Sequence, residues 1–225
     1  MNLKEMAARE AVKSIEDGMV VGLGSGSTAS IAIRLIGDMV RSGTKIVGVP
    51  TSRESEELAR FVGIPIGELK DHPLVDITID GADEVDPELN LVKGLGGALV
   101  REKIVAAATE VEIIVVDDSK LVDFICQKAP LPVEVVRFGY EATLRKLSAL
   151  GCRPEMRMFG DELFVTDNGN YIADCRFTRI DDPSEMERTV NIIPGVVENG
   201  LFIGIAKRVI VASGDGIRSL DRKDR

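Results

Sequence analysis

The stretch Val75-Asp76-Ile77-Thr78-Ile79-Asp80-Gly81-Ala82-Asp83-Glu84 decides the fold. Its first five residues read as a buried strand, and carboxylates just past the carboxyl end of such a strand sit where open α/β sheets bind ligands. The same pattern recurs upstream. Met19-Val20-Val21-Gly22-Leu23 is a short buried strand that runs through Gly24-Ser25-Gly26-Ser27-Thr28 into a helix with Ile31, Leu35 and Met39 on one side. Lys45-Ile46-Val47-Gly48-Val49 is the next strand, and Thr51 and Glu54 are spaced as a capping box for the helix after it. Residues 3–16 carry helical spacing. Downstream, a helix near 97–109 precedes the strand Ile113-Ile114-Val115-Val116. Strands alternating with helices predict right-handed βαβ units and a parallel sheet with both faces covered.

The pattern changes at Ala129-Pro130-Leu131-Pro132. A strand at Val133–Val136 and a helix over 140–150 ended by Gly151 come next. Strand-like runs near 155–165 and 171–177 then flank Thr166-Asp167-Asn168-Gly169-Asn170, whose Asn-Gly signals a hairpin. A helix over 183–192, then Gly195-Val196-Val197 and the apolar Leu201-Phe202-Ile203, complete a β-α-β-β-α-β order, that of a ferredoxin-like unit. Lys207 to Ala212 reads as a strand that returns to the first sheet, and Asp221–Arg225 as a frayed, solvated tail. The expected fold is therefore α/β: a Rossmann-like parallel-sheet domain over 1–129 and 206–225, plus a smaller α+β ferredoxin-like domain over 130–205.

The 225 residues suffice for one large or two modest cores, and 44% apolar with 29% charged residues is an ordinary soluble balance. No apolar run approaches the ~18–20 residues of a membrane helix, and the first residues begin an amphipathic helix without a signal-peptide core. A net charge of −9 argues against nucleic acid as a partner but leaves room for a small anion. The cysteines Cys126, Cys152 and Cys175 lack CxxC spacing, which disfavours a disulfide framework or zinc site and suits a reducing cytoplasm. The single histidine, His72, reads as a solvated loop residue in Lys70-Asp71-His72-Pro73, so histidine-centred catalysis has little to rest on.

Four clusters carry chemistry. The Gly24–Thr28 loop joins strand to helix, where free amides and the helix dipole favour an anion and the hydroxyls of Ser25, Ser27 and Thr28 suit a terminal phosphate. It is neither GxxxxGK[ST] nor GxGxxG; the bland alternative is a tight turn with Ser27 capping the helix. Asp80 and Asp83 can bind sugar hydroxyls, hold a divalent ion or cap a helix. Glu102, in Arg101-Glu102-Lys103, shares a helix face with Leu99 and Ala106 while its basic neighbours point elsewhere. Desolvation there would raise its pKa and make it a base near neutral pH, whereas the commoner reading of such a triplet is a solvated one. Lys93, beside Gly94, Gly96 and Gly97, and Lys120, after Asp117-Asp118-Ser119, can each supply positive charge.

In this order the pieces resemble the type A family of ribose-5-phosphate isomerases. The resemblance runs over nearly the whole chain through nine motifs. They are the 24–28 loop, Val49-Pro50-Thr51-Ser52, Asp80-Gly81-Ala82-Asp83-Glu84, Lys93-Gly94-Leu95-Gly96-Gly97-Ala98-Leu99, Arg101-Glu102-Lys103, Asp117-Asp118-Ser119-Lys120, Leu131-Pro132-Val133-Glu134, the 166–170 turn and Ile193-Pro194-Gly195-Val196-Val197. The family interconverts ribose 5-phosphate and ribulose 5-phosphate through an enediol, without metal or cofactor, as a dimer or tetramer. The resemblance implies that Glu102 moves the proton between C2 and C1, that Asp80 and Asp83 bind hydroxyls and assist ring opening, and that Lys93 stabilises the enediolate. It adds Ser25, Gly26, Ser27, Thr28, Asp80, Gly81, Ala82, Asp83, Lys93, Gly94, Leu95, Gly96 and Lys120 as the substrate-binding set. It also casts the ferredoxin-like domain as a lid or assembly surface. Leu95 departs from the family's lysine-glycine run, where glycine is expected, and should point away from the sugar.

Two rival classes share some of these features. A non-catalytic phosphosugar sensor can use the same sheet, but the Rossmann-like pattern starts by residue 19, and Glu102 with Lys93 favours an enzyme. A nicotinamide-dependent dehydrogenase is weakened by the GxGxG spacing and by Val49-Pro50-Thr51 where a ribose-binding acid belongs.

Overall fold

The structure is a computed structural model that describes residues 2–223. In chain order the elements are α1 (Leu3–Ala11), β1 (Val20–Leu23), α2 (Ser27–Arg41), β2 (Val47–Pro50), α3 (Arg53–Phe61), β3 (Val75–Asp80), β4 (Glu84–Val85) and β5 (Leu91–Val92). Then come α4 (Leu99–Ala107), β6 (Thr109–Asp117), β7 (Leu131–Val135), α5 (Tyr140–Ser148), β8 (Arg153–Met156), β9 (Met158–Phe159) and β10 (Glu162–Leu163). The chain continues with β11 (Tyr171–Arg176), α6 (Pro183–Asn191), β12 (Val196–Asn199), β13 (Leu201–Phe202), β14 (Arg208–Ser213) and β15 (Gly216–Asp221). Contacts divide it into two compact units. The first holds the chain up to Ala82, Arg101–Lys120 and the chain from Gly204 on; the second holds Asp83–Val100 and Leu121–Ile203.

The first unit is built on a six-stranded sheet in the order β15-β14-β6-β3-β1-β2, parallel except for β15. Apart from the exposed edge strand β15, its strands are mostly buried, as both faces of a parallel sheet must be. Ala7, Ala8 and Ala11 of α1, with Ile33 and Ile36 of α2, pack among Val21, Leu23, Ile77, Ile79, Ile113 and Val115. Strand order reverses between β1, which continues to β2, and β3, which leads to β6. That reversal is the topological switch point at which such sheets bind ligands.

Several local expectations need correction. The cap of α3 is Ser52, whose hydroxyl accepts from the Ser55 amide at 3.1 Å, while the Thr51 hydroxyl donates instead to the Leu23 carbonyl. The chain end is not simply frayed. Gly216 adopts φ +124° to turn β14 back into β15, and the Arg222 amide donates to the Lys207 carbonyl at 2.9 Å. Residues 224 and 225 lie outside the described residues.

The second unit contains an antiparallel sheet in the order β12-β7-β11-β8. Numbered within the β-α-β-β-α-β run, this is the ferredoxin-like order. Leu131, Val133 and Val135 of β7 pack with Leu147, Ala173, Cys175 and Val190. The run near 155–165 is not one strand. It breaks after Met156, and β9 and β10 form their own hairpin at Gly160, where φ is +62°.

The expected turn at 166–170 is present, with the Thr166 amide donating to the Asn170 carbonyl at 2.9 Å. It is tied to β7 through one buried carboxylate oxygen: Glu134 Oε1 accepts from Thr166 Oγ1, Asn168 Nδ2 and Asn170 Nδ2 at 3.1, 3.2 and 2.8 Å. A smaller sheet, β13-β5-β4, belongs to this unit. Glu84 of β4, fully buried, accepts the amides of Gln127, Lys128 and Ala129. All three cysteines are free and buried. Burial and the Glu84 carboxylate push the Cys126 thiol up, and the hydrogen bond with Cys152 followed by burial pushes Cys175 up, so neither is a thiolate near neutral pH.

Candidate active site

In the first unit the loops that leave β1 and β3 lock together. Parallel pairing sets Leu23 beside Ile79, so Gly24 comes level with Asp80, and the Gly24 amide donates to the Ile79 carbonyl at 3.1 Å. Asp80 is 1% exposed, and its Oδ1 accepts the amides of Ser25 at 3.0 Å and Gly81 at 2.7 Å. Glycine is required at 24 by close approach: an added Cβ would stand 2.3 Å from Asp80 Oδ1 and 2.6 Å from its Cα. Gly24→Ala is therefore expected to lower unfolding stability by about 1–3 kcal/mol, read from urea midpoints, because the backbone of Asp80 cannot yield cheaply.

The Ser25 hydroxyl lies within 2.8 Å of Thr51 Oγ1 and Ser52 Oγ and 3.1 Å of Ser55 Oγ, and Ser55 Oγ in turn donates to the Gly24 carbonyl at 2.9 Å. This hydroxyl cluster fixes the turn. Gly26, at φ +89°, starts α2 without a side-chain cap, so the expected cap from Ser27 is not made; Ser27 is the first helical residue. Its hydroxyl accepts from Lys4 Nζ at 2.8 Å. Gly26 and Ser27 are exposed and Thr28 half-buried, leaving helix amides, two hydroxyls and an ammonium group gathered at one helix N-terminus.

Glu102 occupies the first turn of α4 and is only 5% exposed, so the solvated reading of the charged triplet does not hold. Lys103, expected to point elsewhere, is buried too, while Ile104 takes an exposed position. Lys120, half-buried, closes the short 3-10 turn Asp118–Lys120 after β6, and Asp117 steadies that turn by accepting the Ser119 amide at 3.0 Å. The Gly24–Thr28 loop, Asp80–Ala82 and Lys120 thus follow the carboxyl ends of β1, β3 and β6, three adjacent parallel strands.

In the second unit the β4–β5 ribbon pairs Glu84 with Val92 and brings Asp83 level with Lys93. The Asp83 amide donates to the Val92 carbonyl at 2.8 Å, and the Lys93 amide to the Gly200 carbonyl at 2.9 Å. Lys93 is 2% exposed with Nζ 5.5 Å from the centre of the Phe202 ring. That burial removes the solvent-facing alternative for this lysine. Asp83, half-buried, accepts the Leu95 amide at 2.9 Å on Oδ2. Gly94 and Gly97 take φ +104° and +86°, and the Gly97 amide closes the loop on the Gly94 carbonyl at 3.0 Å. The Leu95 side chain is 41% exposed.

Sequence reasoning missed Lys4, the hydroxyl cluster as a structural lock, and the role of Glu84. Thr51-Ser52 carried a signal, standing at the end of a strand beside the glycine loop. Lys4 and Glu84 carried none, since each reaches its partners across more than twenty residues of sequence. Among the described residues no group of three or more His, Cys, Asp or Glu side chains gathers as a metal site.

In the first unit, a buried aspartate and an amide-rich helix start at the carboxyl ends of parallel strands define an α/β protein equipped for a small, anionic, polyhydroxylated ligand. The family profile for ribose 5-phosphate isomerase A (phosphoriboisomerase A) matches residues 47–216. The ribose-5-phosphate isomerase A of Pyrococcus abyssi is 50% identical over 229 residues, covering 99% of this chain and all of its own length. That of Gloeobacter violaceus is 53% identical, with 97% and 95% covered. A solved D-ribose-5-phosphate isomerase in complex with phospho-erythronic acid superimposes with a TM-score of 0.96 at 47% identity, covering 99% of this chain and 100% of that one. The chain belongs to the ribose 5-phosphate isomerase A family.

Proposed function

We infer that this protein is an aldose–ketose isomerase that interconverts D-ribose 5-phosphate and D-ribulose 5-phosphate through an enediol, a reaction of the non-oxidative pentose phosphate branch. The observation that carries this reading is the near-complete superposition on a relative solved with phospho-erythronic acid, a four-carbon sugar-acid phosphate whose planar carboxylate resembles an enediolate. In this reading Glu102 takes the proton from C2 and returns it to C1. Its burial supports the role, because a desolvated carboxylate is the stronger base. Lys93 meets the negative charge that grows on the enediolate oxygen. Asp80 and Asp83 hold sugar hydroxyls and assist ring opening, each oriented by the backbone amides it accepts.

The substrate's phosphate goes to Ser25–Thr28 at the start of α2, with Lys4 and Lys120 supplying charge. Ser25 acts mainly through the turn it locks, since its amide is engaged with Asp80 and its hydroxyl with Thr51 and Ser52. Gly81, Ala82 and Gly94–Gly96 line the sugar through their backbone, with the Leu95 side chain directed away. The chemistry needs no metal, because base and charge are both supplied by side chains. The ferredoxin-like segment 130–205 serves as a lid or assembly surface of a homodimer or homotetramer, and the enzyme works in the cytoplasm. No described helix is long and apolar enough to cross a membrane.

Protein treated with EDTA and assayed with ribose 5-phosphate should form ketose at a rate unchanged by added magnesium or manganese. Binding of the sugar phosphate without turnover would replace the isomerase by a sensor, and turnover restored only by metal would replace the enediol scheme.

A further inference from the structure

Arg157 lies between β8 and β9, and its side chain is only 12% exposed. Its backbone is pinned on both sides, the amide donating to the Ile172 carbonyl and the carbonyl accepting from the Phe164 amide, each at 2.9 Å. Nε and Nη2 form a two-pronged pair with the Asp174 carboxylate of β11, Nε at 3.0 Å from Oδ2. Nη1 donates to two successive carbonyls, Gly94 at 2.8 Å and Leu95 at 2.9 Å. Four of the five guanidinium N–H groups are thereby committed. The guanidinium carbon stands 5.9 Å from the centre of the Phe164 ring, and the same ring backs Gly97, where an added Cβ would come within 2.5 Å of it.

The segment so held is the glycine-rich run directly after Lys93, the kind of backbone that loses most entropy when ordered and needs an outside anchor. The described peptides are all trans. Drawing the carbonyls of Gly94 and Leu95 onto Arg157 therefore turns the amides of Leu95 and Gly96 to the opposite side. The Leu95 amide is found there on Asp83 Oδ2 at 2.9 Å. With the Leu95 amide spent on Asp83, the Gly96 amide next to it faces the same way as a donor suited to an oxygen that gains negative charge.

We propose that Arg157, oriented by Asp174, is a positioning residue of the isomerase: it touches no reacting atom but sets the loop after Lys93 so that the Leu95 amide stays on Asp83 and the Gly96 amide is presented to a substrate oxygen. The proposal rests on the isomerase reading. A lysine cannot replace it, because one ammonium group cannot hold Asp174 by two prongs and reach both carbonyls in a plane.

The test uses the Arg157→Ala, Arg157→Lys and Asp174→Asn variants of the full chain. Arg157→Ala should lower kcat about 10²-fold with KM changed only a few-fold, since a misplaced donor costs about that much. Millimolar guanidinium should restore part of the rate, and ammonium at equal ionic strength should not. Arg157→Lys should remain impaired at least tenfold and show no rescue. Asp174→Asn should lose about tenfold, and the double variant Arg157→Ala/Asp174→Asn should be no worse than Arg157→Ala alone, as residues acting in one unit are not additive. Amide hydrogen exchange at Leu95 and Gly97 should quicken in all three single variants. Unchanged exchange, a kcat within threefold of wild type in Arg157→Lys, or equal rescue by ammonium would each overturn the proposal. If Arg157→Ala does not fold, the lysine and asparagine variants decide by the same readings. A wild-type protein inactive on ribose 5-phosphate would sink the isomerase reading instead, a result distinct from the exchange measurement, which reports the loop anchor by itself.

Discussion

Glu102→Gln is expected to lower kcat by about 10³–10⁴-fold while KM stays within a few-fold, the upper range for loss of a general base. The amide is nearly isosteric and keeps hydrogen-bonding capacity, so a side chain that is 5% exposed in the first turn of α4 remains packed. What it loses is the ability to accept a proton. Thermal unfolding close to wild type would show that the loss is chemical. Glu102→Asp retains the carboxylate but withdraws it by one methylene, and a displacement of about 1 Å costs roughly 10²-fold. A graded series of wild type, Asp and Gln, read from initial rates of ketose formation, identifies a proton carrier; a structural acid would show its largest change in stability.

Lys93→Met should lower kcat by about 10²–10³-fold, the range measured when one group facing a developing oxyanion is removed. Methionine matches the stem of the lysine and stays compatible with the Phe202 ring, 5.5 Å from the ammonium group, so the packing of β5 should survive. KM should rise less than kcat falls, because the charge matters most when the enediolate forms. Lys93→Arg should not restore the rate: the planar guanidinium is larger than the cavity left at a residue 2% exposed. Equal losses in binding and rate would instead make Lys93 a phosphate or hydroxyl ligand.

The parallel sheet was legible because its strands are buried on both faces and read as apolar runs, with Val75–Ile79 the plainest. The β-α-β-β-α-β order likewise announced the ferredoxin-like sheet. What escaped was structure whose cause lies far away in sequence. β15 is an edge strand whose half-exposed Gly216–Asp221 carries little apolar pattern, so the sequence offers no strand reading there. The 155–165 run looked continuous because its apolar residues span the Gly160 turn. Two-residue strands such as β4 and β5 leave no periodicity at all, yet they place Asp83 opposite Lys93.

For the site, residue types and order were readable, but burial was not. Arg101-Glu102-Lys103 looked like a solvated triplet, and only tertiary packing buries Glu102 and Lys103 while exposing Ile104. Arg157 was invisible, because an arginine in a strand-like run says nothing of two carbonyls sixty residues earlier.

Isomerisation of ribose 5-phosphate by metal-stripped protein in deuterated water tests the central claim most directly. Proton transfer through an enediol, with Glu102 carrying the proton, predicts ribulose 5-phosphate with solvent deuterium at C1, and loss of both turnover and labelling in Glu102→Gln. Ketose formed without solvent deuterium, the C2 hydrogen having moved directly to C1, would contradict it.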